Sequence, residues 1–312
     1  MPRYRRVQDI EHPIGPSGSL TLSVVSADVR LTATTGGTAH VRATFDVGAG
    51  SDAEAEEVFH ASQLRAHALS GSLAVEEPNT HSLGGAISRL LGGRSVDLAS
   101  VEVEAPAGCR LEVRVVNSDV RATGFTGTQR FQSVSGDLRL VETQGGLDID
   151  SVSGDVSLRA VASVALKVTN VSGDLSAEAP AYERLRIQSV SGDVSLDGAL
   201  SGDDPHAFDT VSGDVRLASG SGMTVSVRGM SSDITSSLPH RLEGSGDRRR
   251  LIVGDGTATV AFNSMSGDLT VTRSKQAAAA IPTPTEDRLA ILGALERGEI
   301  DVDEAIRRLG PG

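Results

Sequence analysis

The stretch LDIDSVSGDVSL, residues 147–158, decides the fold. It returns as LKVTNVSGDLSA at 166–177 and as LRIQSVSGDVSL at 185–196. As a template it reads φxφxxφSGDφxφ, with φ apolar, and its aspartate falls at Asp137, Asp155, Asp174, Asp193, Asp214 and Asp233. The intervals are 18, 19, 19, 21 and 19 residues, a period that marks stacked structural units rather than one chemical site.

Within a copy, apolar residues alternate before the corner, as at Leu185 and Ile187, and again after it at Val194 and Leu196. Period-2 patterning on both sides means strand. Val190 follows after one extra residue, which together with Ser-Gly-Asp reads as a bend that returns side chains, Val190 among them, to the inside. Glycine permits a backbone angle or close approach that a Cβ would forbid. Each copy is then a rung of two strands and one sharp corner, its far side closed by variable loops such as 142–146. A meander of hairpins also alternates, but it does not explain one nearly constant corner opposite a connection of changing length. The expected class is all-β, a β-solenoid of parallel β-helix or β-roll type with rungs of about 19 residues, in which one corner solution stacks on itself.

Working outward, the template is already present at Leu20, Leu22, Val25, Asp28, Val29 and Leu31, with Ala27 where glycine usually stands, and again at Leu111, Val113, Val116, Asp119 and Val120. A last copy comes from Val260, Phe262, Met265, Asp268, Leu269 and Val271. Residues 1–273 are therefore read as one β-repeat domain, less regular over 1–104, where SDAEAEEVFHAS predicts a short helix near 52–62 capped by Ser51. Two interruptions stand out. In 76–100, Ile87, Leu90 and Leu91 lie between glycines; packing over the β stack is the plain reading, and peripheral membrane or partner contact through 84–93 the sharper one. In 237–258, Arg248-Arg249-Arg250 reads as a solvated loop. Residues 274–284, Ala-rich and then Pro-spaced, look like a linker. Residues 285–312 read as a helical hairpin whose seam is Leu289, Leu292, Leu295, Ile300, Val302, Ile306 and Leu309. So small a unit buries little apolar area, so it is expected to dock on a protein partner or on a second copy of itself.

Composition agrees with a repetitive stack. Of 312 residues, 38% are hydrophobic but only 3% aromatic, with no Trp, as suits ladders of Val, Leu and Ile. A formal net charge of −12 repels a phosphate backbone, so no nucleic-acid partner is expected. Cys109 stands alone, which excludes an internal disulfide and a multi-thiolate metal site. The start of the chain carries charge with no apolar run behind it, and no run of about 18 apolar residues could span a bilayer; the expected compartment is the cytoplasm.

No catalytic signature is found. The sequence has no GxxxxGK[ST], no GxGxxG fingerprint, no GxSxG and no HExxH, and its seven histidines are scattered. No cofactor is expected. His206 falls where neighbouring copies carry Leu, either at the end of a loop or as a buried polar group. The one constellation is the aspartate column. If the rungs stack, Asp137, Asp155, Asp174, Asp193 and Asp214 lie in a line about 5 Å apart and repel. Three things could offset this: corner N–H groups and Ser hydroxyls, the arginines two residues on at Arg30, Arg121, Arg139 and Arg216, or a bound Ca²⁺. Structural corners are the leading reading, with those five aspartates as the Ca²⁺ candidates. With no Trp and only Tyr4 and Tyr182, aromatic platforms for a polysaccharide are scarce.

The run APAGCRLEVRVVNSDVRATGFTG followed by repeated VSGDV and VSGDL resembles the bacterial putative-adhesin family of β-strand-repeat proteins of unknown function, over roughly 105–272 and more faintly over 1–104. ILGALERGEIDVDEAIRRLG at the C-terminus is similar to the short helical domain of LiaX-type envelope-stress proteins. The resemblance implies a β-solenoid-like fold with no established enzymatic activity. The expectation is a non-catalytic, adhesin-like interaction scaffold in bacterial envelope or stress physiology, its hairpin mediating self-association or docking. The alternative is a Ca²⁺-binding or polysaccharide-acting β-helix built on the Asp corners. Function is expected where the repeat is interrupted, at 76–100, at 237–258 and in the hairpin.

Overall fold

The computed structural model describes residues 2–78, 95–245 and 248–275. Strands that precede a Ser-Gly-Asp corner pair in parallel with one another, and so do strands that follow it. The result is a β-solenoid: two parallel stacks joined through the corners, with the inward side chains of both in one hydrophobic core. Among the described residues there are nine rungs, with corners in stacking order at Asp28, Asp119, Asp137, Asp155, Asp174, Asp193, Asp214, Asp268 and Asp233. Inward residues form columns. Leu22, Val113, Phe131, Ile149, Val168 and Ile187 stack before the corner, and Val29, Val120, Leu138, Val156, Leu175 and Val194 after it, all buried. Each such side chain contributes roughly 1.5–3 kcal/mol by leaving water, so every rung is held by its neighbours.

The corner glycine is required by contact as well as by angle. Gly173 has φ +117, and a Cβ there would lie 2.3 Å from the carbonyl oxygen of Gly154 on the preceding rung. The outer rungs use another bend: Ala27, Ser118 and Ser232 hold the glycine position and none has a positive φ. On the far side the chain opens into short loops at 124–128, 201–205 and 220–222, but not at 142–146 or in the two turns that follow. Leu138–Ser153, Val156–Ser172 and Leu175–Ser191 are continuous strands whose register shifts there, the first between Val141 and Gly145, with Glu142 at φ 55.

Both ends are closed by antiparallel strands. At the start, Ser72–Glu76 lies parallel to Ser19–Val24 and is covered by Arg65–Leu69. On the other stack, Ser95–Pro106 lies parallel to Asp28–Thr34 and is followed by Thr38–Gly48 and Arg3–Pro13, both antiparallel. The helix Asp52–Ser62, capped by Ser51, whose hydroxyl accepts from the Glu54 N–H, buries Ala55 and Phe59. Phe59 meets Phe45 edge-on at 5.4 Å between ring centroids, and Arg6 ties the helix down through Asp52 and Glu56.

At the other end, chain order and stacking order separate. The Asp268 rung, Ala258–Ser266 and Leu269–Arg273, is inserted between the Asp214 rung and the Asp233 rung. The chain builds the outermost rung first, turns through His240–Ser245 and Arg248–Val253, which cap it antiparallel, and returns to fill the gap. Arg248-Arg249-Arg250 is thus part of a strand and not a solvated loop, because its backbone pairs on both sides with Met223–Ser231 and His240–Ser245.

The valine before Ser-Gly-Asp also differs from expectation. Val134, Val152, Val171, Val190 and Val211 are 43–48% exposed, while the residue before each points inward. The alternation never skips: Leu185, Ile187 and Ser189 are the three inward positions of their strand, and the third is polar. Apolar Ile87, Leu90 and Leu91, most of the linker, and the hairpin with Leu289, Leu292, Leu295, Ile300, Val302, Ile306 and Leu309 lie outside the described residues.

Candidate functional site

The corner edge is where the repeat presents the same groups to solvent at every rung. The structure brings Asp137, Asp155, Asp174, Asp193 and Asp214 into one line. Their repulsion is offset by hydrogen bonding: the backbone N–H of each aspartate donates to the carboxylate of the aspartate one rung back. The run is Asp137 to Asp119, Asp155 to Asp137, Asp174 to Asp155, Asp193 to Asp174, Asp214 to Asp193, Asp268 to Asp214 and Asp233 to Asp268, all at 2.8–2.9 Å. A hydrogen bond from an N–H to a carboxylate is stronger than one between neutral groups. The aspartate carbonyls reinforce them, as where Leu138 N–H donates to Asp155 O at 2.9 Å. Each carboxylate is therefore a tie between rungs. Among the described residues, no group of three or more His, Cys, Asp or Glu side chains could hold a metal ion.

Beside the aspartates runs the exposed apolar column, Val116, Val134, Val152, Val171, Val190, Val211 and Met265, each 43–59% exposed. In-register stacking at about 4.8 Å per rung makes it a continuous ridge over seven rungs. A contiguous exposed apolar surface of this kind marks an interaction site more often than scattered residues do. On its other flank the outward side chains are paired across rungs: Arg114 with Gln132, Arg130 with Asp148 and Asp150, Lys167 with Asp148, and within its own strand Arg114 also holds Glu112. The ridge is thus bordered on one side by an uninterrupted row of carboxylates and on the other by a face of mixed sign.

The arginines two residues after the corner form no ion pair with their own aspartates among the described residues. Arg30, Arg121 and Arg139 stack in register, with Arg30 3.8 Å from Glu102, and line a groove with Asp28, Asp119 and Asp137. A second groove continues from it past Asp9, Glu11, His40 and Arg42, where Asp9 holds the Arg42 guanidinium at 2.8 Å and raises its pKa.

The isolated polar groups are structural. Cys109 is buried, which pushes its thiol up to about 11 and leaves it inert as a nucleophile. Tyr182 is fully buried with its hydroxyl on Ala177 O at 2.8 Å, so it offers no platform to a sugar. His206 is 1% exposed in the leucine column, and neither ring nitrogen makes a hydrogen bond of ordinary geometry; burial lowers its pKa, and the nearby Ser201 backbone offsets this only in part. Sequence reasoning missed the valine ridge because it equated apolar with inward. Strict alternation from Leu185 through Ser189 was the signal that could have found it.

The sequence matches the family described as Toastrack DUF4097 over residues 13–185. No protein of curated function matches it. Three solved structures resemble the chain. One is described as a "putative cell adhesion protein" from Clostridium sporogenes, at 10% identity and TM-score 0.27, covering 86% of this chain and 100% of its own. The second is described as a "putative adhesin" from Bacteroides fragilis, at 13% identity and TM-score 0.28, covering 86% and 97%. The third is described as a "putative lipid binding protein" from Parabacteroides distasonis, at 11% identity and TM-score 0.33, covering 85% and 96%. With the family profile spanning more than half of its length, and a β-solenoid beneath that match, the chain belongs to the Toastrack DUF4097 family.

Proposed function

We propose that the protein is a non-catalytic, adhesin-like interaction scaffold, a rigid β-solenoid that binds a protein partner along its corner edge, in bacterial envelope or stress physiology and from the cytoplasmic side. The observation that carries the reading is the exposed ridge from Val116 to Met265 beside the aspartate row. The partner it fits has an extended apolar strip flanked by basic side chains. A protein bait carrying Val152→Ser, Val171→Ser and Val190→Ser keeps its core, since these side chains are already exposed, and is expected to lose the proteins that the wild-type chain retains from lysate of the native cell. If both baits retain the same proteins, the ridge is not the binding surface.

Residues 285–312 add the second part of the reading, self-association or docking through Leu289, Leu292, Leu295, Ile306 and Leu309. Comparing the mass in solution of the full chain with that of a chain ending at Arg273 tests it: identical monomeric masses at high concentration count against self-association.

A further inference from the structure

We propose that the inside of the corner holds a single file of structural water, one molecule between each pair of neighbouring rungs from the Asp137 rung to the Asp268 rung. Its walls are the third inward column, Ser133, Ser151, Asn170, Ser189, Thr210 and Ser264, which pair in register from rung to rung. All six are buried, at 3–8% exposure. The hydroxyls of Ser133, Ser151, Thr210 and Ser264 and the amide oxygen of Asn170 have no hydrogen-bond partner in the protein, and Ser189 reaches only Ser191 O at 3.5 Å. Buried polar groups in folded proteins are almost always bonded. The Asn170 amide nitrogen donates to Gly173 O at 2.6 Å, yet five unpartnered oxygens among six stacked positions point to a common partner.

The geometry suits water. Hydroxyls one rung apart, about 4.8 Å, are too far for a direct bond, whose usual length is about 2.8 Å. A water midway and about 2.8 Å from both sits at an angle of about 120°, close to what its hydrogen-bond directions prefer. The chain itself shows that there is room. In the first two rungs the same column is occupied by Val24 and Val115, both buried. A valine exceeds a serine by one methyl group, and that difference is close to the ~30 Å³ share of a water molecule.

The file also has ends. At one, Val115 closes it with an apolar side chain. At the other, Ser264 pairs with Gly229, and a Cβ at Gly229 would meet the Ser232 hydroxyl at 2.6 Å and Ser264 O at 3.3 Å. There Arg249 donates through one arm to Ser232 O while its Nε–H and the Ser232 hydroxyl are buried without a protein partner. A charged donor thus terminates the series of hydroxyls.

The sign of one stability change decides between a hydrated and a dry column. In the full-length protein carrying Ser133→Ala, Ser151→Ala and Ser189→Ala, waters lose bonded partners, and Tm is expected to fall by roughly 5 °C. A dry column predicts the reverse, because deleting an unsatisfied buried hydroxyl removes a cost. An alanine triple that melts at or above the wild type overturns the proposal. The valine triple, Ser133→Val, Ser151→Val and Ser189→Val, replaces each water by a methyl as Val24 and Val115 do, and is expected to melt above the alanine triple; melting below it denies the room that the water needs. High-resolution diffraction from the wild-type protein then reads the file directly, as density between successive hydroxyls that disappears at the three valine rungs. Absence of that density in the wild type overturns the proposal as well.

Discussion

The two columns that meet at the corner have their polarities reversed. Inside are Ser133, Ser151, Asn170, Ser189 and Thr210; outside are Val134, Val152, Val171, Val190 and Val211. One step further from the bend the usual arrangement returns, with Ile149, Val168 and Ile187 inside and Asp150, Thr169 and Gln188 outside. The direction of a side chain is fixed by its parity along the strand, not by its hydrophobicity. A repeat that keeps valine on the outside at rung after rung forgoes the ~1.5–2 kcal/mol that burying each one could contribute. The apolar edge and the polar interior are therefore features of the corner rather than lapses in it.

The largest break comes from the bend itself. Gly173→Ala places a Cβ 2.3 Å from Gly154 O at φ +117, combining backbone strain with overpacking, so a loss of about 3–5 kcal/mol is expected in urea unfolding. Ala27→Gly, at the same position in a rung whose bend does not use positive φ, is expected to cost about 1 kcal/mol. Comparable losses at both positions would mean that the corners are not built in two ways.

Next is the contrast between inside and outside. Ile187 is 1% exposed and Val190 is 47% exposed, three residues apart in one strand. Ile187→Ala is expected to cost about 2–5 kcal/mol and Val190→Ala within about 0.5 kcal/mol. If Val190→Ala is as damaging as Ile187→Ala, the ridge is not exposed in solution and the interaction reading loses its basis.

Smaller is the effect of cutting one tie in the aspartate row. Asp174→Ala removes the acceptor for the Asp193 N–H at 2.8 Å, with an expected loss of about 1 kcal/mol. Asp174→Asn keeps an oxygen in place and removes one of three adjacent charges, so it should lie close to the wild type and gain relative to it as salt is lowered. A loss with asparagine as large as with alanine would show that charge, and not the accepting oxygen, is what the position supplies.

The stacked architecture was legible because each rung repeats the same local solution, and so was the cap at Ser51, whose hydroxyl has only to reach three residues on. The order of the last rungs was not, because pairing of the Asp214 rung with Asp268 across 54 residues leaves no local mark. One hint existed: Ser232 stands where the stacked rungs need glycine, as Ala27 and Ser118 do at the opposite end. For the aspartate row the sequence offered hydrogen bonds, arginines or a cation. Only the placement of the N–H groups distinguishes the first, because Arg139 is near enough in sequence to Asp137 to pair with it yet lies in the arginine column instead.

His206 gives the finest comparison, since it differs from its column by a single property. It lies inward in register with Val260, in the column that carries Leu147, Leu166 and Leu185, and burial lowers its pKa from the ordinary 6.5. The other polar occupant of that column, Gln129, is satisfied by Thr143 at 2.8 Å and by backbone carbonyls, whereas the His206 ring has only the Ser201 backbone near it, which does not outweigh burial. The fold therefore holds the neutral ring. Above pH 6.5 both folded and unfolded chains carry neutral His206 and its contribution is fully present. As pH falls through 6.5 the unfolded chain takes up the proton first, and stability is lost until the folded value is passed. Urea midpoints at pH 7.5 and pH 5.5 are expected to drop more for the wild type than for His206→Leu, while the exposed histidines, common to both chains, cancel in the difference. Equal drops in the two chains would mean that the ring at position 206 takes up its proton as readily in the fold as out of it, and that this rung is not closed around it.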